Sequence, residues 1–245
     1  MKNIIEVRNV TKEYKKGHHK ALNNVSLSIR ENELFGLLGI NGAGKTTLIN
    51  IIPGLIKKTS GKVFVAGLNV DKNRDMRKIR SMINISPQET SVATNLTVQE
   101  NLKFFEALYG VKDNKETDEI IKRFKLRRFL KWKVRQLSGG WQRKVSIAIA
   151  LMTKSKILFF DEPTLGLDVF SRKDLWEIIK ELKKGRTIIL TSHYLQEIET
   201  LCDRVAILSG GHLLTVTTVK ELKRRFKTNN FEKAFMKTVE RSNKK

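Results

Sequence analysis

The chain has 245 residues, enough for one large domain or one domain with a sizeable insertion, and a pair of independent domains is disfavoured. With 40% apolar residues, 15 Gly and 3 Pro it is no collagen-like, low-complexity or disordered chain, and no apolar run reaches the roughly 18 to 20 residues that span a bilayer. The 48 Lys and Arg against 25 Asp and Glu leave a net charge of +23, which puts nucleic acid, anionic lipid or a merely solvated basic face among the readings.

The opening MKNIIEVRNV lacks the apolar core of a secretory signal, so a cytoplasmic location is expected. A single cysteine, Cys202, rules out an intramolecular disulfide and fits a reducing compartment as a buried small hydrophobe. Ile4 to Val10 and the strictly alternating Val25-Ser26-Leu27-Ser28-Ile29 predict an antiparallel pair half exposed to solvent. Leu34 to Leu38 is a continuous apolar run, the pattern of a strand covered on both faces of a parallel sheet, and a helix follows Gly44. Further strands are predicted at 62–66 and 82–86. From Gln88 to Met152 the strand signal fades, and Thr97-Val98-Gln99-Glu100 reads as a capping box opening a helix through about Leu108. With helices at about 116–130 and after Ser138, this stretch is an all-helical insertion. Ile157 to Phe160 is a second covered strand, followed by a helix after Ser171, strands at 186–190 and 205–208, and a helix after His193. The fold class is therefore α/β, with a mostly parallel sheet, an N-terminal antiparallel β subdomain and an inserted helical subdomain.

Gly39-Ile40-Asn41-Gly42-Ala43-Gly44-Lys45-Thr46 satisfies the phosphate-loop pattern in its required place, after a strand and before a helix. Glycines let the backbone curl so that amides face phosphate oxygens, and the helix start adds its positive dipole end. Lys45 then neutralises the β- and γ-phosphates of ATP while the Thr46 hydroxyl coordinates Mg2+, with Thr47 completing the nucleotide-binding run. Downstream, Ile157-Leu158-Phe159-Phe160-Asp161-Glu162 delivers two acids to the same sheet edge. Asp161 is expected in the Mg2+ shell and Glu162 as the group that accepts a proton from the attacking water.

Leu137-Ser138-Gly139-Gly140 followed by Gln142-Arg143 lies 20 residues before that strand end and resembles the signature of ABC ATPases. Gln88 in SPQE resembles that family's glutamine loop, Pro163 to Asp168 its D-loop, His193 its switch histidine and Tyr14 its adenine-stacking aromatic. The resemblance covers nearly the whole chain. It implies a phosphate-loop ATPase domain over 1–227 with its helical subdomain at about 89–152, followed by a short basic extension at 228–245. It also implies catalytic roles for Glu162, His193, Lys45 and Gln88, metal contacts from Thr46, Gln88 and Asp161, and nucleotide contacts from Ser138, Gly139, Gly140 and Asp168. Those last contacts imply a head-to-tail dimer, since each signature closes over ATP held by the other subunit.

Trp141 departs from the family's common pattern, which has Gln after the two glycines. A bulky residue there, Gly166-Leu167-Asp168 and Phe231-Glu232-Lys233-Ala234-Phe235 resemble the drug, ion and antibiotic-peptide exporters. The implied partners are a separate transmembrane permease and a second ATPase subunit, identical or related, with the protein peripheral on the inner membrane face. Residues 122–135 carry eight basic and no acidic residues, and the last 26 carry ten basic and three acidic, or +7. The first run lies in the insertion that this family turns towards its permease, so anionic lipid contact is plausible. Alternatives are a regulator or scaffold of a membrane partner, or a soluble ABC protein acting on nucleic acid, for which the chain has no second cassette.

Overall fold

A computed structural model describes residues 2–14, 19–88, 92–111, 114–153 and 155–243. In chain order the elements are β1 (Asn3–Tyr14), β2 (His19–Arg30), β3 (Leu34–Gly39), α1 (Lys45–Ile51), β4 (Ser60–Val65), β5 (Leu68–Asn69), α2 (Asn73–Met82) and β6 (Ile83–Ser86). Helices α3 (Val98–Tyr109), α4 (Asn114–Arg123) and α5 (Gly139–Leu151) follow, then β7 (Ile157–Asp161), α6 (Val169–Leu182), β8 (Thr187–Thr191), α7 (Leu195–Leu201), β9 (Arg204–Ser209), β10 (His212–Thr217), α8 (Val219–Arg225) and α9 (Phe231–Asn243).

The strands make two sheets. One is antiparallel, ordered β2-β1-β4-β5, and the other runs β10-β9-β3-β8-β7-β6 with every pair parallel except β10 on β9. Period-two alternation explains why the central strands carry continuous apolar runs. Leu34 and Leu38 of β3, Leu158 and Phe160 of β7, and Ile188 and Leu190 of β8 enter one core, shared with α3, α5, α6 and α7. Phe35, Leu37, Ile157, Phe159 and Ile189 enter the other, between this sheet, α1 and the antiparallel sheet. Apolar burial of this kind contributes roughly 25 cal/mol per Å² removed from water, and a polar residue on either face of β3, β7 or β8 would forfeit it.

Among its described residues the insertion holds three helices, two short 3-10 turns at Arg127–Phe129 and Val134–Gln136 and one isolated bridge, Thr97 to Lys133, but no strand element. Its first helix starts as expected: the Thr97 side chain accepts from the Glu100 amide, and the Glu100 carboxylate accepts from the Thr97 amide. The second helix is shorter than expected. It ends at Arg123 rather than near 130, and Lys125 has φ 57, a left-handed turn that lets Phe124 and Leu126 both enter the core. The helix expected after Ser171 begins at Val169, because the Asp168 carboxylate caps it. Strand 62–66 stops at Val65, with Ala66 left-handed at φ 50. The residues at 228–245 include the helix α9, whose Phe231 and Ala234 are buried against the α/β core, so most of this segment packs on the domain.

Candidate active site

Parallel strands β3, β8, β7 and β6 all end at one sheet edge, and each is followed there by a predicted site segment: residues 39–46, His193, Glu162 and Gln88. Ligands of open α/β sheets bind at this edge. The loop from β3 to α1 is tight. A Cβ on Gly44, at φ 100, would lie 2.3 Å from the Ala21 carbonyl oxygen, and one on Gly39 would lie 2.4 Å from that of Leu208. Only glycine fits either position. Lys45, 7% exposed, closes the loop by donating from Nζ to the Gly39 carbonyl at 2.7 Å and the Ile40 carbonyl at 3.2 Å. Burial lowers its pKa, while Glu162 and Asp161 pull the other way.

Across the cleft, Glu162 has φ 50, a left-handed conformation that a non-glycine residue adopts at a cost of order 1 kcal/mol or more. Three contacts hold it. Its amide donates to Thr191 Oγ1 at 2.9 Å, its Oε2 accepts from the His193 amide at 3.1 Å, and its Oε1 lies 3.1 Å from His193 Nε2. Thr191 also donates to Asp161 Oδ1 at 2.6 Å, fixing the neighbouring carboxylate. Burial pushes the Glu162 carboxyl above its ordinary range, opposed by the His193 amide and by Lys45. Partial desolvation and Lys45 lower the His193 pKa, opposed by Asp161. Thr191 had no sequence signal beyond its place two residues before His193.

A cavity of about 410 Å³ collects these groups: Tyr14, His19, Ala21, Asn41, Gly42, Ala43, Gly44, Lys45, Thr46, Thr47, Gln88, Glu162 and His193 line it. Gly39 and Ile40 join through their bonds to Lys45, and Asp161 stands behind through Thr191. The Thr46 hydroxyl, Asp161 carboxylate and Gln88 amide oxygen are hard oxygen donors of the kind Mg2+ takes, so the set fits that ion.

Ser138, Gly139, Gly140 and Asp168 do not line this cavity. Ser138 is exposed at the N-cap of α5, and its hydroxyl makes no capping bond. Asp168 is engaged within the chain: its carboxylate accepts from the amides of Phe170 at 2.9 Å and Ser171 at 3.0 Å and from the Ser171 hydroxyl at 2.6 Å. Trp141 packs within the chain as well. Its ring centroid is 4.5 Å from that of Phe129, with the Arg128 guanidinium at 4.9 Å and Lys144 Nζ at 4.4 Å.

The sequence profile of the family described as "ABC transporter" matches residues 22–165. Over 223 residues the chain is 42% identical to "ABC transporter A family member 7" of Dictyostelium discoideum, covering 90% of this chain but 26% of that protein. It is 38% identical over 223 residues to "Linearmycin resistance ATP-binding protein LnrL" of Bacillus subtilis (strain 168), covering 89% of this chain and 70% of that one. The solved dimer described as a post-hydrolysis state of the ATP-binding cassette MJ0796 bound to ADP and Pi superposes with TM-score 0.78 at 30% identity, over 87% of this chain and 98% of that chain.

Proposed function

The chain belongs to the ABC transporter family as an ATP-binding, ATP-hydrolysing cassette, and we propose that it energises export through a separate membrane permease by closing, with a second cassette, over Mg-ATP. The observation that carries this reading is the split between the two halves of the site: phosphate loop, Tyr14, Gln88, Glu162 and His193 share one cleft, while the signature at 138–140 lies outside it. An exposed helix start with free backbone amides suits the γ-phosphate of an ATP held by another subunit.

In this mechanism the loop amides and Lys45 hold the phosphates, and Tyr14 stacks on the adenine from the cleft rim. Thr46, Gln88 and Asp161 would hold Mg2+, which would neutralise phosphate charge when bound. Glu162 then takes a proton from the attacking water. Burial has made it a stronger base than an exposed carboxylate, and His193, against its Oε1, orients it. ATP favours the closed dimer, and hydrolysis removes that preference.

Export and the permease rest on Trp141, the GLD run at 166–168, the segment 231–235 and the likeness to the linearmycin resistance protein. Among the described residues no helix is long and apolar enough to cross a membrane, and the separate permease of this reading leans on the likeness to the linearmycin resistance ATP-binding protein, 70% of which this chain covers. That partner sets the location at the inner membrane face. All eight basic side chains of 122–135 are exposed, which supports contact with anionic lipid there.

The test is Glu162→Gln in the protein assembled with its permease. Turnover should fall by about 10²- to 10⁴-fold, ATP affinity should stay within a few-fold, and an ATP-dependent dimer should accumulate on size-exclusion chromatography. Near-normal turnover would remove Glu162 from the catalytic role.

A further inference from the structure

We infer that Arg143 is a positioning residue that joins the glutamine loop to the catalytic turn, so that Gln88 and Glu162 are set by one buried guanidinium. Arg143 lies in α5, five residues after Ser138, and is 4% exposed. Its Nε donates to the Pro163 carbonyl at 3.0 Å and one terminal nitrogen donates to the Asp161 carbonyl at 2.9 Å. The other terminal nitrogen donates to the carbonyls of Pro87 at 2.5 Å and Gln88 at 3.1 Å. Four carbonyls from two separate segments thus converge on one rigid fork, which suits Arg and not the point charge of Lys.

The consequence lies in which carbonyls are chosen. The Asp161 carbonyl lies in the peptide that enters Glu162, and the Pro163 carbonyl lies one peptide beyond the one that leaves it, with the rigid Pro163 ring between, so holding both narrows the ways the Glu162 turn can move. Glu162 needs such support, because φ 50 is unfavourable for it and the turn relaxes without external bonds. Gln88, just past the end of the strand next to the one that leads into Glu162, lines the same cleft. A displacement of the glutamine segment therefore pulls on the guanidinium and, through it, on the turn that aims Glu162. The charge stays on: burial lowers the Arg143 pKa to about 10, opposed by Asp161, Glu197 and Glu162, so the guanidinium is cationic at neutral pH.

This inference rests on the ATPase reading and goes beyond it, since Arg143 touches neither nucleotide nor water in that scheme. The experiment compares parent, Arg143→Met and Arg143→Lys in the permease-assembled protein, by steady-state ATPase, binding of a fluorescent ATP analogue and thermal melting. Arg143→Met should lower kcat at least 10-fold with KM and analogue affinity within about 3-fold, and should raise the Mg2+ concentration needed for half activation. Arg143→Lys should recover part of kcat, because it restores the charge and some of the donors. A kcat within 2-fold of parent in Arg143→Met overturns the inference and leaves the ATPase reading intact. Equal losses of affinity, kcat and melting temperature, or failure of both variants to fold, would also overturn it, by making Arg143 a residue of the fold. A parent that hydrolyses no ATP would instead refute the ATPase reading.

Discussion

At the scale of single residues, the catalytic assignment turns on how burial and partners divide the carboxylates. Glu162 is 5% exposed and its pKa is raised from 4.5 chiefly by burial. Asp168 is held below its usual range by the Ser171 hydroxyl and amide, which suits a helix cap rather than a base. Two outcomes follow for Glu162. Turnover should be lost as pH falls through its raised folded pKa, so the acid limb of kcat lies above the ordinary carboxylate range, and the residual turnover of Glu162→Gln should lack that limb. The sign for stability is opposite to that of a salt-bridged acid. A carboxyl whose folded pKa exceeds its unfolded one binds its proton more tightly when folded, so its contribution is present below about pH 4.5 and is lost as pH rises through the folded value. Glu162→Gln, neutral at every pH, should therefore melt above the parent at pH 7 while being nearly inactive. A pH series of kcat and melting curves from pH 5 to 9 checks both; a variant that melts lower at pH 7 contradicts the assigned burial effect.

At the scale of elements, the join between the signature helix and the basic stretch explains the departure at Trp141. Its ring lies against Phe129 and is faced by Arg128 and Lys144, and Lys144 in turn bridges to Asp174 of α6 at 2.8 Å. The Trp side chain thus braces α5 against the 3-10 turn at Arg127–Phe129 and stands away from the nucleotide cleft. Trp141→Gln would exchange an aromatic contact worth about 0.5–1.5 kcal/mol and cation contacts of similar size for a smaller amide. The expected result is a melting temperature lower by several degrees, at about 2–4 °C per kcal/mol for a chain of this size, with at least half of the ATPase rate retained. A rate that falls far more than stability would place Trp141 in the nucleotide contact. The sequence showed the stretch 122–135 as a charge run with interleaved aromatics. Those apolar residues prove to be core or half-buried, except Trp132, which is 48% exposed. Period and composition could not tell the faces apart because a left-handed turn at Lys125 breaks the helix inside the run.

For the whole molecule, the legible parts were those with a local cause. Continuous apolar runs gave β3, β7 and β8, alternation gave the antiparallel opening, and the capping box at Thr97 and Glu100 gave α3. Strands β5 and β10 and helices α2, α8 and α9 were missed. Some are two to seven residues long, and the amphipathic α2 and α9 gain their stability from packing rather than from a strong local signal. In the site, motif spacing placed Lys45, Gln88, Glu162 and His193 around one cleft, but the supporting bonds from Thr191 and Arg143 join segments far apart in sequence and emerge only from the fold. The remaining proposition is that a complete site needs two cassettes. Asn41→Cys and Ser138→Cys, introduced together into Glu162→Gln, place one thiol on the phosphate loop and one on the signature. The natural thiol, Cys202, is half-buried, with its pKa pushed well up by desolvation, and should react far more slowly than the two introduced thiols. With Mg-ATP and a short bifunctional reagent, the account predicts a covalent dimer that forms only when ATP is bound and only between Asn41→Cys of one subunit and Ser138→Cys of the other. Bound ATP without that crosslink would contradict it.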